Sequence, residues 1–227
     1  MGHPDRQSGQ AGDAPLPPLR LVAAAITADE RIALTLGPPA RWERIPSYTL
    51  VPLEFPAAAP PAGVSDADAI RQAASRLGRQ VEIMPSPWTH GPSPSHAIDR
   101  HRWQGAEPAP LLELTRRLPV EHAESTELRL VVVRVYRARL AGAAHPRSDL
   151  DGTLGLLWPT PEQLRAVVRG LSLTDARSLA IRDDALIPWE RLPDDALLYV
   201  PADYGERYLL RVMAKYGQQA LFGAPTA

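Results

Sequence analysis

The chain has 227 residues, of which 44% are hydrophobic and 22% charged, with a formal net charge of −1. That is enough apolar material for one sizeable core, which excludes a wholly disordered chain. The balanced charge offers no overall basic field to attract nucleic acid, and the lack of Cys excludes disulfides, thiolate metal sites and a cysteine nucleophile together.

Residues 1–18 are small and polar and end in Pro15, Pro17 and Pro18, so they read as a disordered leader. No run reaches the 18 or more apolar residues of a membrane span, so no membrane partner is expected and the expected location is the cytoplasm. Residues 19–26 and 31–36 are apolar runs around a short polar turn and read as a hairpin. Tyr48, Leu50, Leu53 and Phe55 indicate a third strand over 47–55, bent or held at a sheet edge by Pro52. An Ala/Pro/Gly loop follows over 56–64. Ser65 and Asp68 then form the Ser-x-x-acid pattern of a capping box. The helix they open runs to about Leu77 and stops at Gly78. Ile70, Ala73, Ala74 and Leu77 make its buried stripe, while Gln72, Ser75, Arg76 and Arg79 fall on the other side.

Residues 80–84 return as a strand, and 85–110 read as a proline-rich loop. Residues 111–118 are a short helix or strand. The clearest strand covers 128–140, where Arg134, Arg137 and Arg139 read as charges guarding an edge. A strand at 153–158 leads to a helix capped by Thr160, with Pro161 at its first position and Gln163 completing the box. Its buried side is Leu164, Val167 and Val168. Further helices are expected over 174–181 and 204–216. Strands and helices do not alternate throughout, so the fold class is α+β with a mixed sheet rather than a doubly wound parallel sheet. Three parts are expected: a leader at 1–18, a domain at 19–184, and an extension at 185–227. The extension is apolar enough to pack on the domain or to cover a second copy in a homodimer.

Other polar groupings carry little chemistry. His90, His96 and His101 with Asp99 lack the i, i+4 spacing of helical zinc pairs, so no metal is expected there. Glu113, Glu121, His122 and Glu124 form a second cluster, which reads as a charged loop. Ser86 with His90, and Ser93 or Ser95 with His96, make no nucleophile elbow. No phosphate-binding loop or dinucleotide fingerprint occurs.

Phe55-Pro56-Ala57-Ala58, Arg71 and Gly78 can be laid on one register. They resemble the Nudix box, G-x5-E-x7-R-E-U-x-E-E-x-G-U, where U is a bulky aliphatic. Gly78 takes the late glycine, Arg71 the arginine and Ala73 the aliphatic position. Ala57 takes the first glycine, and Pro56-Ala57-Ala58 stands where Pro-Gly-Gly is common. The order of flanking elements over about residues 19–182 is also similar to that family. The resemblance implies a Nudix-like α/β/α sandwich. In the family the box glutamates hold Mg²⁺ or Mn²⁺ against a diphosphate, but here those positions carry Gly63, Gln72, Ser75 and Arg76. It therefore implies no metal cofactor and no catalytic residue, with a cleft lined by Arg71, Gln72, Ser75, Arg76 and Arg79 for an anionic or nucleotide-like small molecule. Mg²⁺ or Mn²⁺ would return only if acids outside the box made the chain a divergent diphosphate hydrolase.

Overall fold

The computed structural model describes residues 18–28, 30–75, 80–86, 88–92, 98–105, 108–119, 128–141, 155–180, 191–201 and 205–217. The expected leader, Arg76, Gly78, Arg79, His96, Ser93, Ser95, Glu121, His122 and Glu124 lie outside them.

The first strand, β1 (Leu19–Ala28), is apolar along most of its length because both its faces are covered. A short turn joins it to β2 (Arg31–Ile32), which pairs with it antiparallel at Thr27 and Ala28. The second half of the expected hairpin strand is separate: β3 (Leu34–Leu36) leaves β1 and pairs with other strands. A 3-10 turn at Pro39–Arg41 precedes β4 (Glu43–Ile45) and β5 (Tyr48–Glu54). The strand β6 (Ala57–Ala58) then returns to pair with β1, and the Ala24 amide donates to the Pro56 carbonyl over 2.8 Å.

Helix α1 (Asp66–Ser75) starts where the capping pattern places it, with the Ser65 hydroxyl accepting from the Asp68 amide at 3.1 Å. Strands β7 (Val81–Ile83), β8 (Thr89–Pro92), β9 (Ile98–His101), β10 (Leu112–Pro119) and β11 (Leu128–Leu140) follow. After β12 (Leu156–Leu157) comes α2 (Pro161–Arg169), whose cap matches the sequence: the Thr160 amide donates to the Gln163 side chain at 2.8 Å, and the Gln163 amide donates back to the Thr160 hydroxyl. The chain continues through β13 (Leu171–Ser172), α3 (Leu173–Ala180), β14 (Ala196–Tyr199) and α4 (Glu206–Tyr216).

Among the described residues the strands form two mixed sheets. The larger runs β2-β1-β11-β10-β8-β9, with β6 on β1 and β7 on β11. Its central pair, β1 and β11, is parallel from Leu19 opposite Val131 to Thr27 opposite Arg139. The smaller runs β12-β3-β5-β14-β13, with β4 on β5. Alternation on the central pair divides the core. Val22, Ala24, Ile26, Tyr136 and Ala138 meet Ala69, Ile70 and Ala74 of α1. Ala23, Ala25, Val131, Val133 and Val135 face a larger core with Leu53, Phe55, Leu164, Val167, Leu209 and Met213. Alanines at Ala24, Ala69 and Ala74 alternate with Val22, Ile26 and Ile70 in this layer, which favours a close helix-to-sheet approach.

Three sequence expectations change. Pro52 does not hold β5 at an edge, because β5 lies between β3 and β14. A strand residue directs its N–H and C=O to the same side, and the Pro52 carbonyl accepts from Gly37 at 2.7 Å just past the end of β3. The missing donor therefore falls where the ladder ends. The arginine-bearing strand β11 is not an edge but the centre of the large sheet, flanked by β1 and β10. Its cations are accommodated by ion pairs, as with Arg139 and Glu82 at 2.7 Å. The expected loop at 85–110 contains the hairpin β8–β9, which the prolines conceal: Pro92 sits in the last pair of the hairpin, opposite Ile98.

Candidate functional site

Helix α1 covers only part of its face of the large sheet. Asp66, the first helical residue, sits above the strands with a side chain 9% exposed. Period-two alternation brings Arg134 and Tyr136 of β11 and Arg20 of β1 up beneath it. Arg20 Nη1 lies 3.1 Å from Asp66 Oδ1, and Arg134 Nη1 donates to Asp66 Oδ2 over 3.1 Å. The Tyr136 hydroxyl donates to the same oxygen at 2.5 Å. Arg134 Nε donates to Glu113 on β10 over 2.7 Å, in register with the Glu113–Arg134 pairing of the two strands. Trp103 lies over the Arg134 guanidinium at 5.4 Å, within cation–π range. Arg20 also donates to the Val64 carbonyl, tying the loop before α1 to β1.

The electrostatics is that of a closed network. Burial works against the Arg134 charge, but the hydrogen bonds and charges of Glu113 and Asp66 outweigh it and hold the guanidinium more firmly protonated. Burial and the Asp66 contact push the Tyr136 phenol well above its ordinary range. The carboxylate of Asp66 is thus surrounded by N–H and O–H donors. Further along β11, Leu128 and Leu130 on the same face are exposed, at 56% and 39%, so the sheet opens to solvent beside the network.

The box-aligned residues occupy a different place. Gly63 has a φ of 86°, the left-handed region that glycine favours. Arg71, Gln72 and Ser75 are exposed on the outer side of α1, away from the buried stripe of Ala69, Ile70, Ala73 and Ala74. Arg71 pairs with Asp68 at 2.7 Å, and the Ser75 hydroxyl donates to the Gln72 carbonyl at 2.8 Å. The hydrogen bond from Ser65, together with Arg71, lowers the Asp68 pKa from its ordinary value. Arg71, Gln72 and Ser75 share a helix face that Gly63 precedes, and none of the four joins the Asp66 network.

The histidines separate as well. His90 is 4% exposed and meets the Tyr208 hydroxyl through Nδ1 at 3.3 Å. His101 pairs with Thr89 rather than His90 and is exposed. Burial, with Arg100 and His101 nearby, keeps the His90 pKa below its ordinary value. Among the described residues no group of three or more His, Asp or Glu is placed to hold a metal ion. Sequence reading missed Arg20, Asp66 and Tyr136. The available signal was an arginine and a tyrosine at alternate positions of otherwise apolar strands, with an acid next to a helix cap.

No family model matches the chain, and no curated protein matches it. Solved structures do. The chain is similar to a NUDIX-family hydrolase from Clostridium perfringens, at 13% identity over 66% of this chain and 86% of that one, with a TM-score of 0.41. It is similar to a MutT NUDIX hydrolase from Burkholderia pseudomallei at 18% identity, covering 72% and 96% with a TM-score of 0.37. A NUDIX hydrolase from Nitrosomonas europaea is 13% identical over 88% of this chain and 72% of that one, with a TM-score of 0.39. The fold itself is α+β, with two mixed sheets and four α-helices among the described residues.

Proposed function

We propose that this chain is a Nudix-like, non-catalytic module that binds an anionic or nucleotide-like small molecule without a metal ion. The observation that carries the reading is the chemistry of the loop and helix at residues 63–75, with the identity of residue 76. The box glutamate positions hold Gly63, Gln72, Ser75 and Arg76. The buried acid at the head of the helix, Asp66, is already ion-paired with Arg20 and Arg134 and accepts from the Tyr136 hydroxyl.

Mg²⁺ requires several hard oxygen ligands in near-octahedral geometry. Gly63 has no side chain, Gln72 and Ser75 supply neutral groups, and a guanidinium at 76 repels a dication by about 4 kcal/mol at 4 Å and an effective dielectric of 20. Glu113 is engaged by Arg134. These residues do not fit the metal. Amide, hydroxyl and guanidinium groups instead suit a phosphate or carboxylate through charge-assisted hydrogen bonds, and Arg71, Gln72 and Ser75 are exposed to receive one.

Isothermal calorimetry with ADP-ribose, nucleoside triphosphates and dinucleotides, with and without Mg²⁺, tests this. Metal-independent heat that is reduced in Arg71→Ala and Gln72→Ala is the expected result. Phosphate or nucleotide release that requires Mg²⁺ or Mn²⁺ and is abolished by EDTA would replace this reading with that of a divergent hydrolase. A dimer mass by light scattering with no ligand response would leave a self-associating structural protein.

A further inference from the structure

Helix α4 begins on a buried acid. Glu206, its first residue, is 4% exposed. Gly205 before it adopts a φ of 75°, which lets the chain turn sharply between β10 and β5. A Cβ there would clash with the side chains of Leu112 and Leu114. The turn delivers the Glu206 carboxyl to the end of β5, where the Phe55 amide donates to Oε1 at 3.0 Å. Oε2 is buried with no hydrogen-bond partner among the described residues.

The ionised groups acting on this carboxyl are Glu54 from the end of β5 and Arg41 from the 3-10 turn. Arg41 is itself engaged with Glu54, Nη1 donating to Oε2 at 2.6 Å. The next two side chains of α4 point elsewhere: Arg207 donates to the Val168 carbonyl, and the Tyr208 hydroxyl meets His90. Glu206 therefore feels a second carboxylate, whose charge outweighs the pull of Arg41.

We propose that α4 is held by a proton-dependent latch: the neutral carboxyl of Glu206 ties the helix to the Glu54–Phe55 strand end, and loss of its proton frees the helix. The Phe55 amide bonds either form of the carboxyl and by itself favours the charged one, but burial and the Glu54 charge outweigh it and favour the neutral acid. An anion there is desolvated and repelled. The released helix would uncover Leu209, Leu210 and Met213, which pack in the larger core. It would also loosen the strand end that leads through Pro56 to the loop held by Arg20.

The direction follows from linkage. Burial first, then the Glu54 charge, raises the Glu206 pKa from 4.5 to about 8. Burial also raises that of Glu54, against the pull of Arg41. The closed form binds one more proton than the open form between these limits. The latch is fully engaged below 4.5, weakens up to tenfold per pH unit up to about 8, and changes no further above it. His90, whose pKa lies below its ordinary value, changes charge in the acid range and leaves the upper part of this window to Glu206.

Hydrogen exchange on the full chain from pH 5 to 9, corrected for intrinsic exchange rates, tests the proposal. Protection of residues 206–216 is expected to fall by up to tenfold per unit between pH 6 and 8 and then level off, while β11 stays protected. In Glu206→Gln, which keeps the Phe55 acceptor and cannot ionise, the α4 profile is expected to be flat. A flat profile in the unmodified chain, an equal slope in Glu206→Gln, or a parallel loss in β11 would overturn it. Should Glu206→Gln fail to fold, carbon-13 NMR of glutamate-labelled unmodified protein decides: a buried carboxyl titrating near pH 8, shifted down in Glu54→Gln, supports the latch. If every carboxyl titrates below pH 6, the latch is excluded.

Discussion

If Asp66 is the hub that fixes α1 to the sheet, its removal should be felt by its partners in a way additive losses cannot mimic. At the 3.1 Å separating Asp66 from Arg134, the direct attraction is about 5 kcal/mol at an effective dielectric of 20. Much of this is offset by the cost of drawing the ions from water. Both arginines also keep about a third of their side chains exposed, at 31% for Arg20 and 28% for Arg134, so solvent screens the pairs further. A net coupling of about 1–2 kcal/mol remains. Asp66→Asn is expected to destabilise the chain by about 2 kcal/mol, since two cations and a buried phenol lose their charged acceptor. Arg134→Met keeps the apolar stem and removes the charge. Urea unfolding of the two single variants and the double variant at pH 7 gives the coupling directly, and it should shrink in high salt. A coupling below about 0.5 kcal/mol, with the denaturant slope unchanged, would show that the network is surface decoration and that apolar packing alone holds the helix.

Two further outcomes test the local readings. Gly205→Ala should lower stability by about 1–3 kcal/mol, seen as a fall in Tm, because the new methyl meets Leu112 and Leu114 and φ remains at 75°. Thr160→Ala should cost about 1 kcal/mol by removing one half of the reciprocal cap on α2, while Thr160→Ser should restore most of it in the same urea assay.

Local signals were legible wherever neighbours in sequence supply the chemistry. The Thr160–Pro161–Gln163 cap, the Ser65 start of α1, the buried stripes of both helices and the long strand at 128–140 are each written within a few residues. Backbone capping and helical or strand periodicity act over that range. The α+β class follows from the order of those elements.

Tertiary contacts decided the rest. Whether β11 is an edge or a centre depends on its pairing with β1, more than a hundred residues earlier. The hairpin β8–β9 exists because β8 pairs with β10 and outweighs the prolines around it. Asp66 stands unremarked beside the Ser65–Asp68 cap; only the fold brings Arg20, Arg134 and Tyr136 to it across separations of 46, 68 and 70 residues. Nothing in the sequence around Glu206 marks it as a buried acid. Its burial against Phe55, 151 residues away, is a property of packing, because desolvation depends on what surrounds a side chain and not on what precedes it in the chain.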